Sequence, residues 1–600
     1  MTDQTGIGDF IFGTLATTED RVRTLLDSRR GISEPLLVRD ADGAARVTLT
    51  AGPDAPVESV TLYYTTDGSD PLIPRAPGTL ERAFHEYRPQ WDTLLFAYLR
   101  TFEATIPAGS LPETGLLRYH IQGTATGGAV YETGRRYSLL LEAHPLPEWF
   151  VSAVIYHIFV DRFATTDDAP FAQHDDHSQF FGGTLRGVIQ KLDYLADLGA
   201  SCLWLSPVFP SPSHHGYDAT AFTEIEPRFG TKDDLRELVE AAHARQMRVL
   251  LDFVPNHVSD THPYFVSAQT DPASPYRDYF TFTHWPDEYA TFFGVKSLPQ
   301  INNENVAARK YVIDSAVYWM REFGVDGYRL DYAHGPSHDF WADYYAAVKA
   351  QNPQSVHLGE IVETPELLAS YEGRMDGALD FHFLAAVRKT FAFDTMTVDA
   401  FDDWLTRHQA YFRGRQFALP TFLDNHDLNR FLWAAGGDTR RQKIAALVQF
   451  TLPATPIIYY GSEAGLRQRR DIRQGSLALM EESRVPMNWD APDADMLAYY
   501  KQLTRLRREI GGALQGSRET LIADAQTGQY VYGYYAIDGT DFDGEMAVLI
   551  LINHSPNAAE LVVDAPGVWR DLFSGAQVFG SPALLLIMSA ETGTALVRVS

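Results

Sequence analysis

The feature that most constrains this chain is a change of texture near residue 150. From there to about 510, eight short apolar runs rich in β-branched residues follow one another. They are Val154–Val160, Cys202–Val208, Val249–Val254, Tyr328–Asp331, Val356–Ile361, Ala378–Phe383, Thr421–Leu423 and Ile457–Gly461. Between most of them apolar residues recur every three or four positions, as in Val188 to Leu198 and Leu235 to Met247, the spacing of one helix face. Strand–helix alternation implies a parallel sheet covered by helices. Eight units over roughly 360 residues suit a (β/α)8 TIM barrel with insertions better than an open doubly wound sheet. The stretch after the third run, about 257–302, is long, aromatic and weakly periodic. It reads as a subdomain inserted between a strand and its helix.

The flanks alternate with period two instead. Ala45–Thr50, Val60–Thr65, Phe102–Ile106 and Leu117–Ile121, set between Gly, Pro and Asp turns, predict an antiparallel β-sandwich over residues 1–145. Within it, Thr18-Glu19-Asp20 reads as a helix start. Pro145 and Pro147 mark the linker to a catalytic region over 146–512. Val531–Tyr535, Ala547–Ile552 and Ala595–Val599 predict a second β-sandwich over 513–600. The segment from Phe84 and Tyr87 through Trp91, Phe96 and Tyr98 interrupts the first sandwich's rhythm with aromatics. A packed loop core is one reading; a sugar platform or a dimer contact is the other.

Charge narrows the partners. Lys and Arg number 50 against 78 Asp and Glu, a net of −28, and no Lys/Arg-rich stretch offers to neutralise phosphates. Neither nucleic acid nor an anionic membrane is an expected partner. No apolar run approaches the roughly 18 residues of a membrane span; the longest, Leu447 to Gly461, is broken by Pro453 and Pro456. The first residues lack the basic and apolar regions of a signal peptide, so a cytoplasmic location is expected. The single cysteine, Cys202, excludes an intramolecular disulfide framework and a Cys-based zinc site, and its apolar run marks it as inert core. His174-Asp-Asp-His177 and Asp167-Asp168 read as a solvated acidic loop, because two histidines make an incomplete metal site. Gly6-Ile-Gly8 has no preceding strand for a dinucleotide fingerprint, and there is neither a phosphate loop nor a Gly-x-Ser-x-Gly elbow.

In a barrel of this kind the working residues sit at the C-terminal ends of the strands. The third run ends Asp252-Phe-Val-Pro-Asn256-His257 and the fourth Gly327-Tyr-Arg329-Leu-Asp331. The fifth ends Leu358-Gly-Glu360 and the seventh Phe422-Leu-Asp-Asn-His426-Asp427. A lone strand-end Asp is commonly a turn former or a helix cap. Four such endings that gather carboxylates, histidines and an arginine on one rim are not explained that way.

These strings, in this order, resemble the short sequence regions of the α-amylase family, glycoside hydrolase family 13. So do Tyr156-His-Ile-Phe-Val-Asp161-Arg-Phe, Phe181-Gly-Gly-Thr-Leu-Arg-Gly, and His215-Gly-Tyr217-Asp218 followed by Pro227-Arg-Phe-Gly-Thr. The resemblance covers about residues 150 to 510. It implies that the insertion is the family's domain B and the C-terminal sandwich its domain C. Position by position it makes Asp331 the nucleophile, Glu360 the acid/base and Asp427 the third carboxylate, gripping sugar hydroxyls. His257 and His426 would bond the reacting sugar, Tyr156 would stack on its apolar face, and Asp218, Arg329, His334 and Arg430 would be further substrate-side residues. The chemistry agrees: cleavage with retention needs a nucleophilic carboxylate and a protonated carboxylic acid about 5–5.5 Å apart. Arg329, two residues before Asp331 on one strand face, can keep that carboxylate ionised, while a neighbouring anion raises Glu360. Hydrolysis needs no cofactor. Some relatives bind structural calcium near the 174–177 loop or at the equivalent of Asn256; calcium takes six to eight oxygens, which the sequence does not assemble, so it is left open and no metal ligand is assigned.

The implied substrate is an α-glucan oligosaccharide. After the nucleophile the chain reads Asp331-Tyr-Ala-His334-Gly335, where starch amylases commonly place Lys-His at the last two positions and neopullulanases Asn-Glu. Glu360 is followed by Ile361-Val362, where neopullulanases usually have Ile-Trp. Fewer grips on the acceptor side and a short insertion favour short or cyclic maltodextrins over starch. Plain α-amylase or a glucan transferase of the same family is the alternative. A non-catalytic sugar-binding relative would have lost Asp331, Glu360 or Asp427, and all three are present. Relatives that take short glucans often carry such an N-terminal domain, so a homodimer through it joins the expectations.

Overall fold

A computed structural model of the chain describes residues 7, 9–10, 29–33, 35–40, 42–71, 78–132, 136–142, 144–472, 477–536 and 544–599. The expected helix start at Thr18 lies outside them.

The first sandwich packs a four-stranded sheet (Leu36–Arg39, Ala45–Ala51, Ala97–Ile106, His85–Asp92) on a second built around Val57–Thr65 and Leu116–Ala125. Along Ala45–Ala51 every second residue is buried, and Val47 and Leu49 share one core with Val60, Leu62, Tyr119 and Ile121 of the facing sheet. Period-two alternation is what lets both sheets bury one face. The aromatic segment corrects the packed-loop reading: His85–Asp92 is the edge strand of a hairpin with Ala97–Ile106, and all of it but Asp92 is exposed. Trp91 stands edge-on to Phe96 and to Tyr98, both 5.1 Å away.

The middle region forms the expected parallel sheet. Its strands are β1 (Ile155–Ile158), β2 (Cys202–Leu205), β3 (Arg248–Phe253), β4 (Gly327–Leu330), β5 (Val356–Gly359), β6 (Gly377–Ala378) and β7 (Ile457–Tyr459). They pair in the order β6-β5-β4-β3-β2-β1-β7. The Thr421–Leu423 run forms no ladder of its own. It closes the ring through the parallel bridges Gly377 to Ala418 and Thr421 to Pro456. On the β6 side Pro420 carries no N–H, so the Gly377–Ala418 bridge cannot be extended by a donor from that position. The sixth run is shorter than expected: Asp380 accepts a hydrogen bond from the Phe383 amide at 2.8 Å and caps a helix over Phe381–Phe391, so Phe381 to Phe383 are helical.

Alternation along the strands decides what faces the axis. Ile155, Cys202, Leu250, Val356 and Leu358 belong to the inner core, whereas Tyr156, Leu203, Leu251, Tyr328 and Leu330 pack with the helices. The inward positions one step further along are His157, Trp204, Asp252, Arg329, Asp331 and Glu360, which contact one another. The barrel is therefore apolar below and polar at its C-terminal rim. Between β3 and helix α1 (Val306–Phe323) the insertion holds a helix, Pro263–Thr270, and a hairpin of Phe282–His284 with Glu288–Tyr289.

The first sandwich is bolted to helix α2 (His338–Gln351). Arg118 reaches Asp339 at 2.8 Å and Asp343 at 2.6 Å, and Arg309 of α1 reaches both at 2.7 Å. The two acids stand one helical turn apart, so two guanidinium groups can straddle them. The C-terminal sandwich has a six-stranded sheet and a two-stranded one. Among the described residues no helix is long and apolar enough to cross a membrane.

Candidate active site

Arg329 is the centre of the rim. From β4 its Nη1 donates to Asp252 at the end of β3 (2.8 Å) and to Asp331 (2.8 Å), while Nη2 lies 2.7 Å from Glu360 Oε1 without the alignment of a hydrogen bond. One guanidinium thus touches carboxyl groups from three neighbouring strands. The Arg329 side chain is 1% exposed, but Asp331 and Glu360 keep 10% and 9%. The acids, and not the cation, face whatever enters. Asp252 is further tied by Trp204 Nε1 (3.1 Å) and the Tyr217 hydroxyl (2.9 Å), which makes it the anchor of the group.

Burial pushes Glu360 up to about 8, with Arg329 opposing and the anions of Asp331 and Asp427 adding to the rise. Asp331 is raised above the ordinary carboxylate range by burial as well, against the pull of Arg329. Asp427 goes the other way. Burial alone would raise it, but His426 (Nε2 to Oδ2, 3.0 Å) and Arg484 (Nη2 to Oδ1, 2.9 Å) hold it well below that range. The site therefore keeps one carboxylic acid beside a carboxylate that stays ionised, the separation that general acid catalysis requires. Tyr332, the residue after Asp331, is in the left-handed region (φ 40°), and its amide donates to Glu360 Oε2 at 3.3 Å. This strained turn aims the acid.

Residues 157–502, more than half the chain, match the family model described as alpha amylase, catalytic domain. The chain belongs to the α-amylase family. It is 37% identical over 492 residues to alpha-amylase 2 of Dictyoglomus thermophilum, covering 82% of this chain and 83% of that one. It is 34% identical over 465 residues to a cyclomaltodextrinase of Geobacillus thermopakistaniensis, covering 74% and 76%. Among solved structures it resembles a cyclomaltodextrinase with a TM-score of 0.69 at 25% identity, covering 94% of this chain and 99% of that one.

Within this family member the other expected site residues fall into two groups. His426 joins the rim, its ring parallel to that of Tyr217 at 5.1 Å. His257 is buried beside the insertion, stacked on Phe292 at 4.7 Å, and burial lowers it to about 4, so it is neutral at pH 7. His334 is on the open edge, 3.8 Å from Glu363. Asp218 turns instead to the hydroxyls of Ser211 and Ser213. Arg430 is buried, and its guanidinium donates to the carbonyls of Tyr460 (2.8 Å) and Ser483 (3.1 Å). Tyr156 points outward from β1, fully buried, with its hydroxyl on Glu463 at 2.8 Å. The residue one step on, His157, is the inward one, packed flat on Trp204 at 3.6 Å. The aromatic that the site does present is Tyr217, and the string His215-Gly-Tyr217-Asp218 already contained it. Arg484 had no such signal: it lies 57 residues beyond its partner Asp427, at the end of a 3-10 helix over Leu477–Arg484.

No group of three or more His, Asp, Glu or Cys poised to hold a metal occurs among the described residues. Asn256 contacts two neutral side chains, with Nδ2 3.1 Å from His257 Nδ1 and Oδ1 accepting from Gln300 at 3.4 Å. The amide oxygens of Asn256 and Gln300 are of a kind calcium accepts, but two of them fall well short of the six to eight oxygens it takes, and no group of three or more carboxylates stands beside them among the described residues.

Proposed function

We propose that this enzyme hydrolyses α-1,4-glucosidic bonds of short or cyclic maltodextrins with retention, through a covalent glucosyl–Asp331 intermediate. The observation that carries the reading is the geometry of the rim, where the buried Arg329 guanidinium lies against both Asp331 and Glu360 and leaves the two acids facing the opening. In the first step Glu360 gives its proton to the leaving oxygen while Asp331 attacks the anomeric carbon. Glu360, now a carboxylate, then takes a proton from the water that releases the sugar. Asp427, with His426 and His257, grips hydroxyls of the reacting sugar, and Tyr217 takes the stacking role that Tyr156 is too buried to fill. No cofactor is needed, and a cytoplasmic setting, where imported maltodextrins rather than starch are met, suits the substrate.

Chain-length preference rests on the acceptor side. A Cβ on Gly335 would sit 2.1 Å from Asn256 Oδ1, so this position has no room for a side chain that could hold a leaving polymer. Phe292 and Phe293 of the insertion close over Tyr332, 4.9 and 5.2 Å away, and shorten the groove. The competing reading is starch-type α-amylase, which the name of the Dictyoglomus relative favours. We expect kcat/KM on maltohexaose or β-cyclodextrin to exceed that on soluble starch per chain end, and proton NMR to show the α-anomer first. A tenfold preference for starch replaces this substrate reading with the other; a β-anomer overturns the mechanism.

We also propose that the aromatic hairpin of the first sandwich is a contact between two copies of the chain. Phe96 in the hairpin turn is 80% exposed and Tyr98 on the second strand 63%, beside Leu94 of the turn and Tyr87 and Trp91 of the edge strand, more apolar surface than a solvated edge normally shows. Light scattering should return twice the chain mass for the full protein and the single-chain mass after Trp91→Ser with Phe96→Ser. A monomeric parent protein removes the idea.

A further inference from the structure

We propose that Asp9 is a positioning residue for catalysis: the N-terminal tail caps the turn that carries Asp427. The kinetic part of this rests on the function proposed above. Residues 424–430 form no helix or ladder, so their buried amides need side-chain partners. Four amides of this turn and the helix start that follows are met in this way. Asp427 N donates to Asn425 Oδ1 (2.9 Å), Arg430 N to Gln468 Oε1 (2.7 Å) and Phe431 N to Asp424 Oδ2 (2.7 Å). The fourth, Asn429 N, donates to Asp9 Oδ2 at 2.9 Å. Three caps come from the barrel itself, and one comes from a residue 420 positions away.

The tail is held there by more than this bond. Asp9 Oδ2 also takes Arg388 Nη2 at 2.7 Å, with the two side chains 3% and 1% exposed. Phe10 is buried, its ring 5.0 Å from Phe381, in the inner core that also holds Phe422 and Leu428 of the same turn region. The Asn429 side chain passes the constraint on: Nδ2 donates to Asp471 at 3.0 Å, and Oδ1 accepts from Ile472 N at 3.1 Å and from Gln468. Asp427 is therefore fixed from two sides. His426 and Arg484 hold its carboxylate, and the Asp9–Asn429 bond holds its backbone two residues on. Without the Asp9 carboxylate, Arg388 becomes a buried charge with no acid bonded to it among the described residues and Asn429 N–H an unmet donor, and the irregular turn is the element free to move in response. A shift of about 1 Å in a group that acts at the transition state costs up to about a hundredfold in rate.

The test compares Asp9→Ala and Asp9→Asn in the full chain well below the unfolding temperature. Asp9→Ala is expected to lower kcat on maltohexaose about tenfold with KM within about twofold, and Asp9→Asn, which keeps an acceptor but not the charge, about threefold. Amide hydrogen exchange should quicken across 425–431 in Asp9→Ala. A folded Asp9→Ala with unchanged kcat and only a lower Tm would make the tail a stability clip and overturn the proposal, as would unchanged exchange in the turn. If Asp9→Ala does not fold, Asp9→Asn decides on the same two readouts. If the parent protein has no activity on α-glucans, the proposed function fails, and the exchange experiment alone judges the positioning.

Discussion

Replacing Glu360 with glutamine is expected to lower kcat on maltodextrins by about 10² to 10⁴, the full range of a general acid, while the fold persists. Asp331→Asn should cost at least as much, because it removes the nucleophile itself. The two losses separate by leaving group. With an α-maltosyl fluoride, whose departure needs no proton, Glu360→Gln should still form the glycosyl-enzyme and show a burst of fluoride, whereas Asp331→Asn should not. The pH profile carries the same assignment. Turnover needs Asp331 ionised and Glu360 protonated. Activity should therefore rise from the acid side as Asp331, raised by burial, loses its proton, and fall through about pH 8 as Glu360 loses its own. Glu360→Gln has no proton to lose there, so the alkaline limb should vanish. Either variant keeping more than a tenth of the parent's activity, or an alkaline limb that survives in Glu360→Gln, would show that the roles are wrong.

The second large effect is on stability. Asp339→Ala is expected to cost about 3 kcal/mol, the low end for breaking a buried pair, because Asp343 still faces both arginines and Glu304 lies 3.5 Å from Arg309. Arg118 and Arg309, 14% and 12% exposed, would then share only Asp343. Burial alone would raise Asp339, but Arg309, the Ser138 hydroxyl and Arg118 together hold it below the usual carboxylate range, so its contribution is present at neutral pH and lost as pH falls through that depressed value. Because this network joins the first sandwich to α1 and α2, urea unfolding of Asp339→Ala should split, with the sandwich melting first. Asp343→Ala, at a site 23% exposed, should cost less. An unchanged midpoint in Asp339→Ala would show that the sandwich is held by its apolar contacts alone.

The barrel, both sandwiches and the acids of the rim were legible in the linear chain because each is written in a local period. Alternation of two marks the sandwiches, buried β-branched runs mark the parallel strands, and polar residues directly after those runs mark the rim. Period also tells which neighbours share a face, and so Arg329 and Asp331 could be paired before any coordinates. The same rule puts Tyr156 and His157 of β1 on opposite faces, but it does not say which of the two is inward. What failed was the phase of that strand, which only its neighbours set.

The sequence by itself determined the order of elements and the identity of the strand-end acids, since those depend on residue type and near-neighbour spacing. That Glu360 is raised was expected from its neighbouring anion; only the tertiary structure decided that burial leads there and that Asp427 is depressed. That depends on Arg484 and His426 reaching Asp427 while burial dominates at Glu360, and on distances between residues far apart in the chain. The same holds for Tyr217 over His426, for Arg118 against Asp339, and for Asp9 beneath Asn429. A buried charge or amide takes its partner from whatever the fold brings within hydrogen-bond reach, and no local pattern records that choice.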